Sequence, residues 1–70
     1  MSDIVECHSE HEYAERPVAF TWNEQRLEIS EIMEGWHSPG EKYFLVRTTD
    51  GQIFELCYGE FTDEWRTRQP

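Results

Sequence analysis

The chain has 70 residues, with fifteen acidic against six basic side chains and a formal net charge of −9. A single domain of this size buries only a small core, so its three Trp, three Tyr and four Phe must carry much of the burial. The acid excess disfavours direct contact with nucleic-acid backbones or anionic membranes, and no apolar run approaches the length of a membrane span.

Residues 1–15 have weak periodicity, with Ile4, Val5 and Tyr13 as the sizeable apolar anchors. They are expected to form a weakly ordered segment, or one that adds an edge strand or lies across the sheet. Residues 16–70 are expected to form one antiparallel β domain. Arg16-Pro17 opens it, since proline is tolerated at the start of a strand.

The first confident strand covers residues 18–22, and the second begins at Arg26. A two-residue loop at Asn23-Glu24 sets Phe20 against Leu27 and Val18 against Ile29, whereas a three-residue loop would set Phe20 against Glu28. The tight turn is therefore preferred, although Glu24 tolerates a positive φ badly.

Beyond Ile29 the apolar parity fails: Ile32 and Trp36 fall on the opposite face from Leu27 and Ile29. A β-bulge near Ser30-Glu31 would return them to the core. A helical turn across residues 30–36 is the rival reading, and Gly35 and the short length disfavour it. His37-Ser38-Pro39-Gly40 reads as a turn.

The strongest local signal is residues 42–58, two apolar runs flanking Thr48-Thr49-Asp50-Gly51. A two-residue loop here would pair Val46 with Glu55. A three-residue loop (Thr49, Asp50, Gly51) pairs Val46 with Phe54 and Phe44 with Leu56, giving one clean apolar face. Gly51 then supplies the left-handed residue. The other face carries Tyr43, Leu45, Arg47, Ile53, Glu55 and Cys57. Gly59 ends this strand, and residues 64–68 read as a short fifth strand. The expected fold is mainly β: a small, antiparallel, five-stranded bent meander able to curl into a partly open barrel. Phe20, Leu27, Ile29, Phe44, Val46, Phe54, Leu56 and Trp65 are its expected core.

The pattern R-P-x-x-F-x-W (Arg16 to Trp22), I-x-E-I-x-x-x-W (Ile29 to Trp36), Y-F-x-V-R-T-x-D-G (Tyr43 to Gly51), E-L at Glu55-Leu56 and W-R at Trp65-Arg66 resembles a family of small, uncharacterised bacterial β domains. The resemblance covers residues 16–66. Members of that family usually carry glycine in the first tight turn, where this chain has Glu24. The family brings no activity to carry over. Some relatives look to be encoded beside error-prone DNA polymerase cassettes, which implies a loose link to DNA-damage responses.

No sequence motif points to catalysis. Cys7, His8 and His11 offer zinc-type ligands, but their spacing lacks the two separated pairs that a zinc site wants, so no metal or other cofactor is expected. Cys57 with His37 could make a nucleophile and base, but no oxyanion loop or orienting residue accompanies them. Two cysteines make no disulfide framework. With no secretory apolar region in view, the expectation is a cytoplasmic protein with free thiols.

The favoured function is a non-catalytic interaction module. It would bind another protein through Tyr43, Leu45, Arg47, Ile53 and Cys57, or by adding a strand at an open edge. The alternatives are an accessory factor of nucleic-acid or DNA-damage machinery using Arg47, Arg66 and Arg68 with an exposed Trp, and a thiol or zinc protein using Cys7, His11 and Cys57.

Overall fold

A computed structural model describes residues 3–8 and 16–70. It contains six antiparallel strands in one sheet: β1 (Val5–His8), β2 (Arg16–Trp22), β3 (Gln25–Ser38), β4 (Glu41–Thr48), β5 (Ile53–Gly59) and β6 (Glu64–Arg68). Each strand pairs with its neighbour in sequence, and the sheet curls into an open half-barrel. Five strands were expected. The sixth is β1, which pairs with β2 through Val5–Phe20, Glu6–Ala19, Cys7–Pro17 and His8–Arg16. It is the added edge strand, one alternative for residues 1–15, and its four residues with two half-buried side chains are too short a pattern to choose it.

The registers follow from where apolar side chains must go. In β2–β3, Phe20 faces Leu27 and Trp22 faces Gln25, so the loop is Asn23-Glu24, with φ of 50° and 66°. In β4–β5, Phe44 faces Leu56 and Val46 faces Phe54. The loop between them closes with Thr48 N–H to Gln52 O at 2.8 Å and Gly51 N–H to Thr48 O at 3.0 Å. Gly51 has φ of 87°, the left-handed conformation that a three-residue hairpin demands. The Thr48 hydroxyl is buried within this turn. It meets the Asp50 carboxylate and accepts the Gln52 N–H at 3.1 Å.

β3 decides the overall shape. Fourteen residues at ~3.3 Å each would span about 46 Å, whereas the longest dimension of the molecule is 30 Å. The strand must bend, and it does so at two irregularities, between Ile29 and Glu31 and between Ile32 and Glu34. The extra residues are Ser30, as parity required, and Met33. Ser30 Oγ donates to Arg47 O at 3.0 Å, which satisfies a carbonyl at the first bulge.

Across this bend β3 changes partner. Residues up to Glu28 pair with β2, and residues from Ile29 pair with β4. The sheet parts at the changeover, so Val18 does not reach Ile29 and stands exposed.

The concave face is the core. Phe20, Val46, Phe54, Leu56 and Trp65 are buried together, with Val5, Cys7, Trp22, Leu27, Ile29, Ile32, Phe44 and Tyr58 packed against them. Phe54 touches across the curl to β2, with its ring 4.9 Å from Phe20 and 5.1 Å from Trp22, both edge-on. All eight expected core residues lie in this cluster, although Leu27, Ile29 and Phe44 are only partly buried. Phe44 keeps some exposure because its neighbour on β3 is Gly35, which has no side chain to cover it.

Ala19 is buried although it faces away from the core. It sits between Glu6 and Glu28 in register, in the path of the bridge from Arg26 to Glu6 at 2.6 Å. Asp3, just before β1, also reaches the last strand. Asp3 N–H donates to Trp65 O at 2.9 Å, and Asp3 Oδ2 accepts from the N–H and hydroxyl of Thr67 at 2.8 and 3.0 Å.

Candidate functional surface

The convex face of β4, β5 and β6 is built by strict alternation. Glu41, Tyr43, Leu45 and Arg47 share that side of β4. Across the ladder Tyr43 meets Cys57, which meets Arg66; Leu45 meets Glu55, which meets Arg68; Arg47 meets Ile53. The residues expected to form a surface (Tyr43, Leu45, Arg47, Ile53 and Cys57) therefore lie on one continuous face. Arg47 among them is exposed, and the other four are half-buried.

Glu41 organises one end of this face. Its carboxylate accepts from Tyr43 OH at 2.9 Å, from Cys57 Sγ at 3.5 Å and from Arg66 Nη2 at 3.0 Å. The bonds from Tyr43 and Cys57 hold its carboxyl below the usual glutamate range. The reciprocal effect raises the Tyr43 phenol, chiefly through that same bond to Glu41. Burial first, and then the bond to Glu41 with its charge, push the Cys57 thiol up. The reactive form of cysteine is the thiolate, so this environment makes Cys57 a poor nucleophile.

A depression of about 370 Å³ opens here, lined by Glu41, Tyr43, Glu55, Cys57, Arg66, Thr67 and Arg68. Its charges are already matched. Arg66 pairs with Glu41 at 3.0 Å and Arg68 with Glu55 at 2.9 Å, while further along Arg47 pairs with Glu31. All three arginines suspected of binding nucleic acid are thus engaged by carboxylates of the same sheet.

The thiol and histidine candidates are dispersed. Cys7 packs against the core cluster, whereas Cys57 lies on the convex face beside Glu41. His37 faces Lys42 across β3–β4, and Tyr43 is the residue opposite Cys57. His11 lies outside the described residues. Among the described residues, no three His, Cys, Asp or Glu gather in a metal-binding group, and no helix is long and apolar enough to cross a membrane.

Sequence reasoning carried β3 through a bulge to Trp36 but missed how its second half is exposed. From Ile29 to Ser38 this strand has β4 on one side, and among the described residues no strand pairs with its other side. Met33 and Trp36 are exposed on it, at 39% and 42%. The Trp36 ring stacks on Tyr43 with centroids 5.4 Å apart and planes 7° from parallel, so this arm continues the convex face. Trp36 was expected to turn inward after one bulge. The second bulge, at Met33, reverses the parity again and turns it out. Compared with family models, curated proteins and solved structures, the chain finds no match.

Proposed function

We propose that the chain is a non-catalytic protein-interaction module that works in the cytoplasm. The observation that carries this reading is the arm of β3 beyond Ile32. Met33 and Trp36 are exposed there, on a strand with one paired side among the described residues. The concave face already holds the apolar core, so packing does not account for these side chains. Large apolar groups beside an unpaired edge mark a recognition surface. The Trp36–Tyr43 stack joins the arm to Tyr43, Leu45, Ile53 and Cys57, with Arg47 at the far end.

The thiol-enzyme alternative has against it a Cys57 thiol pushed towards its protonated form and no basic partner within the Glu41 node other than Arg66. The nucleic-acid alternative has against it the pairing of Arg47, Arg66 and Arg68 with glutamates, and the net charge of −9.

The test compares immobilised wild type with Trp36→Asp for proteins captured from the native cell. Thermal melts of both establish that the exposed substitution leaves the fold intact. A partner held by wild type and lost from the variant is the expected result. Equal capture by both overturns the reading. A gel shift of single- or double-stranded DNA at low salt would favour the nucleic-acid alternative instead.

A further inference from the structure

We propose that residues 34–38 of β3 receive an extended, lysine- or arginine-bearing segment of a partner protein as an added strand. This rests on the interaction-module reading and names the mode and chemistry of the partner. The bulges at Ser30 and Met33 break the regular edge upstream, and the turn at Pro39-Gly40 ends it downstream. Between them, residues 34–38 pair with β4 in unbroken register from Glu34–Leu45 to Ser38–Glu41. Five residues match the usual length of a strand, about 5–6. Natural sheets blunt such edges with charged side chains, lysine above all, with bulges or with proline, and Glu34 is the one such group within this stretch. Residues 34–38 are Glu, Gly, Trp, His and Ser.

Charge selects the occupant. Arg26 and Arg47 answer Glu28 and Glu31, but Glu34 has no ion-pair partner among the described residues. Alternation places Glu34 and Trp36 on the same side of the arm. A basic side chain on an incoming strand would meet the Glu34 carboxylate, and its neighbour two residues along would lie against the Trp36 indole. A cation is attracted to that indole face as well. On the arm's other side, Gly35 leaves Phe44 partly uncovered. A depression of about 170 Å³ there is lined by Gly35, Trp36, His37, Lys42, Tyr43 and Phe44, and it suits an apolar side chain. The partner pattern is therefore basic and apolar residues in alternation. A second copy of the chain fits poorly, because each copy carries −9 and brings its own Glu34 to the same edge.

The probe is a synthetic peptide of alternating lysine and valine, about ten residues long, labelled for fluorescence anisotropy. Its controls are an alternating glutamate–valine peptide and an N-methylated lysine–valine peptide that cannot complete the ladder. Sedimentation of the free chain runs alongside. The expected result is a monomer that binds the lysine–valine peptide at least about tenfold more tightly than either control. Binding should weaken as salt rises from roughly 0.05 to 0.5 M. Glu34→Lys should lose about tenfold or more, and amides 34–38 should become protected from exchange.

No binding of the lysine–valine peptide overturns the proposal. So does equal binding of the N-methylated peptide, equal binding by Glu34→Lys, or a dimer whose own arm amides are protected. Gly35→Leu should fill the depression without loss of fold, since a Cβ at Gly35 meets Phe44 Cδ1 at an ordinary 3.8 Å. Unchanged affinity of that variant refutes the seating of an apolar side chain there. The wider reading is judged separately: if wild type but not Trp36→Asp captures a cellular partner while the peptide fails, the interaction surface stands and strand addition does not.

Discussion

Phe54→Ala puts the curled-sheet core to its hardest test. Phe54 is fully buried between Phe20 and Trp22, with both rings edge-on about it. A phenylalanine buries ~150–250 Å², and at ~25 cal/mol per Å² its loss is worth about 4–6 kcal/mol. Measured truncations of buried phenylalanine run to ~3–5 kcal/mol, so about 4 kcal/mol is the working figure. A domain of 70 residues sits near the low end of natural stability, about 5 kcal/mol. With a urea dependence of ~1 kcal/mol/M, the midpoint should fall from about 5 M to about 1 M. Trp22 lies 5.1 Å from Phe54, so tryptophan fluorescence reports the transition. Phe44→Ala should cost less, ~2–3 kcal/mol, because Phe44 is half-buried. Phe61→Ala, at 90% exposure, should stay within ~0.5 kcal/mol of wild type. If Phe54→Ala shifts the midpoint no more than Phe61→Ala, or less than Tyr43→Ala on the convex face, the faces are assigned wrongly. The Thr49-Asp50-Gly51 loop would then be misread too, since a one-residue slip exchanges the two faces.

The other expectations come from single contacts. Glu24 is held at φ of 66°, and relief of that conformation, ~1–2 kcal/mol, exceeds the unfolded-state entropy cost of glycine, ~0.4–1 kcal/mol. Glu24→Gly should therefore raise the urea midpoint by about 0.5–1 M, and a lowered midpoint would sink the argument. Asp3→Ala removes the acceptor for Thr67 N–H and hydroxyl, so amide exchange at Thr67 should speed up while amides of β4–β5 stay protected; unchanged exchange at Thr67 would contradict the link between Asp3 and the last strand. Glu41 has a depressed folded pKa, so its contribution is present above the unfolded value, about 4.3, and is lost as pH falls through the lower folded one. Glu41→Gln should therefore flatten the loss of stability below about pH 4, and a curve parallel to wild type would refute the node. Cys57, with its thiol pushed up, should alkylate with iodoacetamide more slowly than a free cysteine at neutral pH; equal rates would show that Glu41 and burial do not protect it.

Much of this architecture is legible in the chain because hairpin loops are local. Asn23-Glu24 and Thr49-Asp50-Gly51 each allow two loop lengths, and the apolar faces of Phe20–Leu27 and Val46–Phe54 choose between them. The bulge at Ser30 is legible for the same reason, as a break in parity, and Gly59 and β6 fall where punctuation places them. What escapes depends on residues far apart in sequence. β1 exists through its pairing with β2, and Val5 and Cys7 alone do not signal it. The second bulge, at Met33, leaves no local mark, since Ile32 and Met33 are both apolar and either could point inward. The convex face follows from alternation, but the Glu41 node does not. It needs Tyr43 two residues along, Cys57 on β5 and Arg66 on β6 to converge on a glutamate that reads, in isolation, as surface charge.

The exposed arm has a geometric origin. β2 has seven residues and β3 has fourteen, so one flank of β3 must outrun its partner. Loss of register at Val18 shortens the match further, and the ladder stops at Ala19–Glu28. Beyond it the two sheet halves diverge around a cleft of about 260 Å³ bounded by His8, Arg16, Pro17, Val18 and residues 29–32. A shorter β3 would close the hairpin to β4 sooner and leave no edge. The extra length instead carries Met33, Glu34 and Trp36 clear of β2, and the second bulge turns the indole outward onto Tyr43. Backbone groups on that flank that no described strand pairs cost little while wet, and such groups pair at once with any strand that can displace the water. Met33 is the extra residue of the second bulge, so deleting it should leave the pairs from Glu34–Leu45 to Ser38–Glu41 in place and Trp36 still outward on Tyr43. Capture of the partner should therefore survive the deletion, and a variant in which Trp36 becomes buried would refute this account of the arm.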